Sequence, residues 1–282
     1  MAIDNFIPEV WAASNLAYQD KALVYKNIVN TNYEGDIKAF GDTVHINQLG
    51  DVTTFDYTKN TDMTAAETLD DSTQSLLINQ SKGFNFQIDD VDKAQQNPKI
   101  MEDAMKRAGY ALADDKDQFI AGLFTGVDAS MIVGLGNDTT PVVPTKSDIY
   151  TYFTQAGLLL DEANVSTMGR WVVIPPWMKK MLVDSSEFTS ASDLGDDVKV
   201  NGLVGRIAGF DVLVSNNVVN TTATKYKVMF GTDEAITFAD QLQNVEAYRP
   251  ELRHGDAVKG LDLYGGKLVQ SKGIALMTAN KA

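Results

Sequence analysis

The spacing of apolar residues changes along the chain, and each change predicts a change of element. Between Val10 and Ile28 the apolar points are Val10, Trp11, Leu16, Leu23, Val24 and Ile28, with Tyr18, Tyr25 and Tyr33 recurring along the segment. That spacing is only partly helical, which predicts an arm carrying a short helix. Two readings of the arm stand side by side: it packs on something outside itself, or on its own domain. From Asp42 the period becomes two. Thr43-Val44-His45-Ile46-Asn47 alternates, and Leu76-Leu77-Ile78-Asn79 and Phe84-Asn85-Phe86-Gln87-Ile88 read as return strands. Asp56 to Asp71 between them is polar and poor in core residues. A long hairpin with a polar tip reaching away from the body accounts for this pattern.

Asn97-Pro98 then opens the strongest helical pattern, a capping residue followed by a proline suited to the first turn. Met101, Met105, Ala108, Leu112, Phe119 and Leu123 form one stripe, and Gly126 ends it. Glu102 with Lys106 and Asp103 with Arg107 are acid-before-base pairs on the outer face. Such a helix spans about 40 Å, long enough to act as a spine. Gly109 and Gly122 weaken it locally.

A loop with Gly134, Gly136, Pro141 and Pro144 follows. Ser147 is expected to cap a second helix through Ala163, with Ile149, Phe153, Ala156 and Leu160 on its apolar face. Arg170 to Ile174 reads as a buried strand stopped by Pro175-Pro176, and Trp177 to Val183 as a short helix. Ser185 to Asp197 is polar and reads as a loop. Asn201 to Val218 carries Gly202, Gly205 and Gly209 and then alternates through Phe210, Val212 and Val214, a turn feeding a strand. Lys225 to Gly231 is a strand. Ala235 to Tyr248 and Ala257 to Val269 are two long ones, joined by a tip with Arg249, Glu251, Arg253, His254 and Asp256.

Composition narrows the function classes. The 282 residues are 44% hydrophobic, which suits a globular chain with a sizeable core. The 24 basic and 38 acidic residues leave a net charge of −14, and the longest basic cluster is Lys179-Lys180. Sequence-specific nucleic-acid recognition is therefore not expected. No cysteine is present, so disulfides and thiolate metal sites are excluded, as suits a reducing cytoplasm. No apolar run reaches membrane-spanning length, and Met1 to Phe6 has no secretory-signal pattern.

Candidate chemistry is sparse. The histidines are His45, in a strand pattern, and His254, in the charged tip. Val133-Gly134-Leu135-Gly136 lacks the third glycine and the following helix of a dinucleotide site. No phosphate-binding loop or nucleophile elbow occurs. Asp89-Asp90, Asp92, Asp114-Asp115, Asp117, Asp161-Glu162 and Asp196-Asp197 read as solvated faces. A glycosidase-like carboxylate pair stays open, since its members need not be close in sequence. No catalytic residue, cofactor or metal site is expected.

In this order the parts resemble the major capsid protein of tailed bacteriophages, with the α+β Hong Kong 97-type fold. The residues that carry the resemblance are Arg170-Trp171-Val172-Val173-Ile174-Pro175, Gly205-Arg206-Ile207-Ala208-Gly209-Phe210-Asp211-Val212, Glu246-Ala247-Tyr248-Arg249 and Tyr264-Gly265-Gly266-Lys267. Order and spacing weigh more than any one of them. The resemblance implies an N-terminal arm (1–39), an extended loop (40–88), a spine helix of the peripheral domain (89–126) and an axial α/β domain (127–232). A long hairpin of the peripheral domain (233–270) and a C-terminal return to the axial domain (271–282) complete it.

The family further implies self-assembly into hexamers and pentamers of an icosahedral shell enclosing double-stranded DNA, built in the host bacterial cytoplasm. The extended loop would lie across a neighbouring subunit, bringing Lys59, Asp62 and Glu67 to the contact. Arg249, Glu251, Arg253 and Asp256 would fall where capsomers meet at threefold positions. Lys59 is also a conceivable crosslinking lysine, but no partner or activating acid can be assigned, and non-covalent assembly is expected. The arm begins almost at Met1, which implies a separate scaffolding protein or none; portal and decoration proteins are further partners. Two other readings are kept: an encapsulin-like compartment that packages protein, and a carboxylate-dependent hydrolase.

Overall fold

Arg170–Ile174 is buried at all five positions, and that run lies at the centre of the fold. The computed structural model describes residues 23–32, 43–49, 56, 59, 71–89, 100–185, 205–252 and 254–281. In chain order the strands are β1 (Thr43–Leu49), β2 (Asp71–Leu77), β3 (Gln80–Asp89), β4 (Arg170–Ile174), β5 (Arg206–Ile207), β6 (Phe210–Val214), β7 (Asn220–Thr221), β8 (Lys225–Thr232), β9 (Ile236–Tyr248), β10 (Gly255–Leu268) and β11 (Ile274–Asn280). The α-helices are α1 (Ile100–Gly122), α2 (Ile149–Glu162) and α3 (Pro176–Val183).

The body is a six-stranded sheet ordered β11-β8-β4-β6-β5, with β7 also paired to β8. β4 runs parallel to β6 and antiparallel to β8. A central strand covered on both faces needs apolar residues at successive positions, not at alternate ones. Val172 and Ile174 join a core with Phe153 and Leu160 of α2, Met178 of α3, Phe210 and Phe230. Trp171 and Val173 enter a second core with Tyr25, Ile120, Met229, Phe238 and Tyr264. In the first core the Phe153 and Phe210 rings meet Phe230 edge-on at 5.1 and 5.4 Å.

The expected turn before Phe210 is a two-residue hairpin, in which Ile207 pairs with Phe210. Both turn residues take the left-handed region, Ala208 at φ 49° and Gly209 at φ 87°. This suits the twist of adjoining strands. Phe210 and Val212 are buried, as the alternation required.

Three expectations need correction. β1 pairs antiparallel with β2 along its whole length, as a long hairpin requires. The second return strand, β3, instead pairs antiparallel with β10, Phe84 opposite Gly260 and Gln80 opposite Tyr264. Alternation specifies a strand and its faces, but not its partner. The long helix ends as an α-helix at Gly122 and tightens to a 3-10 turn through Gly126; its described α-helical part, Ile100–Gly122, spans about 34 Å. Ser147 does not cap α2. Asp148 occupies the cap position, and its carboxylate accepts hydrogen bonds from Ser147 Oγ (3.1 Å) and Thr145 Oγ1 (2.8 Å).

The cap Asn97-Pro98, most of the arm, most of the polar 56–71 tip and the polar stretch after Ser185 lie outside the described residues. The pairing of Glu102 does too, as its side chain is not among those described; Lys106 lies 3.9 Å from Asp103.

Candidate functional site

The long hairpin of β9 and β10 joins the body at consecutive glycines that serve opposite faces of the sheet. A Cβ on Gly265 would sit 2.4 Å from the Leu77 carbonyl oxygen and 3.0 Å from Ile78 Cα. Here β10 touches backbone at the β2–β3 junction. A Cβ on Gly266 would meet Phe119 and Leu123 of the long helix at 3.1 and 3.2 Å. The helix therefore lies directly on the strand, with Phe119 edge-on to Tyr264 at 5.3 Å.

Charges set deeper than their sequence suggests lock this junction. Lys116 Nζ lies 2.5 Å from Asp240 and 2.6 Å from Asp262, and Lys26 of the arm reaches Asp240 at 2.8 Å. Burial alone would lower the Lys116 pKa, but its hydrogen bonds to the two carboxylates outweigh it and raise it. One residue on, Asp117 is fully buried. Its Oδ1 accepts the backbone N–H groups of Val24 (2.9 Å) and Tyr25 (2.7 Å), and its Oδ2 accepts Asn217 Nδ2 (2.9 Å). Asn217 Nδ2 also donates to Asp114 (2.7 Å). Desolvation pushes the Asp117 pKa up, against the lowering by these donors. Asp117 thus ties the arm, the long helix and the body together. Reading it as part of a solvated face was wrong; its place three and four residues before Ile120 and Ala121, which are buried on the same helix face, was the available signal.

Farther out the hairpin thins. Among the described residues of β3, and of β9 and β10 between Val245 and Leu261, only Gly255, Ala257 and Gly260 are buried. Polar cross-strand contacts hold this part. Lys259 pairs with Glu246 at 3.0 Å and lies over the Tyr248 ring, and Asn85 and Tyr248 share hydrogen bonds at 2.9 and 3.1 Å. At the tip Arg249 lies 3.4 Å from Asp256, both substantially exposed, and Leu252 is 96% exposed. Glu251 is exposed beside it, and so is Lys59 in its turn. Of the expected contact residues, the structure brings together Arg249 and Asp256. Asp62, Glu67 and Arg253 lie outside the described residues.

The family model described as phage capsid protein matches residues 73–276. The chain belongs to that family. A Mycobacterium phage Che8 structure shares 30% identity with this capsid protein, covering 98% of each chain with a TM-score of 0.79. The capsid of cyanophage P-SCSP1u matches at 17% identity and TM-score 0.75, over 93% of this chain and 90% of that one. A virus-like particle from Pyrococcus furiosus matches at 11% identity and TM-score 0.55, over 91% and 92%. No curated protein matches. The Hong Kong 97-type fold implied by the sequence is the fold of this capsid protein, a phage major capsid protein whose role is structural.

Proposed function

We propose that the protein assembles non-covalently, without catalysis, into hexamers and pentamers of an icosahedral shell around double-stranded DNA, in the host bacterial cytoplasm. In this reading residues 127–232 surround the capsomer centre, 40–88 lie across a neighbour, and 89–126 with 233–270 form the periphery. Packaged DNA is held without sequence readout, and scaffolding, portal and decoration proteins are separate partners.

The observation that carries the proposal is the thin outer hairpin. It extends beyond both large cores and buries no large side chain of its own between Val245 and Leu261 among the described residues. In this reading such a layer gains its burial from neighbouring subunits. The charged tip supplies the polar rim, and Arg249, Glu251, Arg253 and Asp256 are proposed to pair between copies, beside the Arg249–Asp256 pair within each chain. Exposed pairs contribute about 0–1 kcal/mol each, so the effect comes from symmetric repetition. Lys59, Asp62 and Glu67 are proposed to meet a neighbour in the same way.

Charge reversal tests this. Arg249→Glu and Arg253→Glu are expected to reduce shell yield strongly while leaving the thermal unfolding of the unassembled subunit within about 0.5 kcal/mol of wild type. Normal particles from both variants would overturn the role of the tip. The virus-like-particle match keeps a compartment reading in view. Protein cargo in place of phage DNA inside purified particles would favour it.

A further inference from the structure

The body carries two surfaces of opposite character near opposite ends of α2. At its start is a hollow of about 170 Å³ lined by Lys146, Trp177, Lys180, Met181, Asp184 and Lys281. Its lysines come from three places in the chain: the turn before α2, α3 and the C-terminal end. Trp177 and Met181 supply partly buried apolar atoms, and the Trp177 indole N–H is buried without an acceptor among the described residues. Asp184 is shared by Lys146 at 3.2 Å and Lys180 at 2.9 Å, and these hydrogen bonds hold its carboxyl below the usual range. Three lysines and one aspartate sum to +2, so the rest of a chain of net charge −14 carries −16. The hollow is therefore a cationic spot with an apolar floor on an acidic molecule.

Thirteen positions along α2, about 20 Å away, the outer face is acidic and apolar. Leu158 is 55% exposed, and Asp161 and Glu162, three and four residues on, lie on the same face and are exposed. Met168, in the following loop, is 80% exposed. The loop is tied back to the helix by Arg170, which donates to Asp161 (2.7 Å), Val165 O (2.8 Å) and Ser166 O (2.8 Å). The two surfaces are complementary in charge, and each carries exposed or partly buried apolar atoms.

A head-to-tail ring requires two different complementary patches on each subunit, unlike a twofold dimer, which uses one patch twice. We infer that the Lys146/Lys180/Lys281 hollow of one copy receives the Leu158–Glu162 end of α2 of the next copy around a capsomer. Glu162 meets the lysines, and the apolar side chains cover the Trp177 and Met181 floor. The contact rests on the shell reading above.

The test is a charge swap. Lys281→Glu leaves both Asp184 pairs in place, and Lys146→Glu/Lys180→Glu removes them. Each is expected to raise the protein concentration needed for capsomers by on the order of tenfold, the scale of losing a close charge pair at an interface. Glu162→Lys alone should do the same. Glu162→Lys combined with Lys281→Glu should recover assembly, while unfolding of the unassembled variants stays that of wild type. Wild-type assembly by the single variants, or no recovery in the combination, would overturn the contact. Normal shells with reduced DNA content would also overturn it, by making nucleic acid the partner of the hollow. A wild-type protein that forms no capsomers would overturn the shell reading itself, an outcome separate from the others.

Discussion

Asp117 has two oxygens serving two different parts of the chain, and that division makes it hard to replace. An asparagine there can accept from Val24 and Tyr25 or from Asn217, but not from both sides, because its amide nitrogen would face a donor. The aspartate is costly to keep charged, since desolvation raises its pKa in the folded protein. The sign follows directly. Between the unfolded pKa near 4 and the raised folded value, the folded state binds more protons, so this residue's contribution to stability falls as pH rises. The stability advantage of wild type over Asp117→Asn should therefore be largest near pH 4 and smaller at pH 7, read from urea unfolding of the unassembled subunit. An advantage that grows with pH would contradict this account. At the neighbouring position the balance is different. Lys116→Met leaves Asp240 and Asp262 without their shared cation, and Asp262 is almost wholly buried. Loss of one partner in such a cluster is expected to cost about 3–5 kcal/mol, measurable in the same experiment.

At the scale of elements, two glycines show opposite reasons for being present. Gly265→Ala drives a Cβ into the Leu77 carbonyl and the Ile78 backbone, neither of which can swing aside. It should destabilise by about 1–3 kcal/mol and loosen the junction of the two hairpins. Gly109 lies within α1, and a methyl added there would meet no neighbouring atom within 4 Å, so Gly109→Ala should stabilise by up to about 1 kcal/mol. Paired melting curves check both signs. Much of this architecture was legible in the sequence because it depends on local periods. The buried β4 run, the α2 stripe, the turn before Phe210 and the two long strands all follow from spacing and glycine placement. The partner of β3 was not legible, because Phe84 meets Gly260 across 176 positions and alternation is the same for either partner. The Asp117 joint was missed because a run of acidic residues looks solvated until tertiary contacts bury one of them. Ser147 and Asp148 are both good capping residues by type, but the Asp148 carboxylate accepts from the Thr145 and Ser147 hydroxyls instead of a backbone N–H of the helix, a local network that residue preference alone does not reveal.

For the whole molecule, the contrast between a body with two large cores and an outer hairpin that buries no large side chain among its described residues between Val245 and Leu261 is the feature on which the shell proposal rests. Family membership makes the protein a capsid subunit; the thin hairpin, its charged tip and the complementary ends of α2 describe how copies would hold together. Salt should weaken the proposed tip and α2 contacts, which lie at the surface, far more than the buried Lys116 cluster. The central claim is tested most directly by negative-stain electron microscopy of the purified wild-type protein under assembly conditions. The account predicts closed hollow shells built of ring-shaped capsomers. A field of monomers or small open oligomers, with the subunits folded, would contradict it.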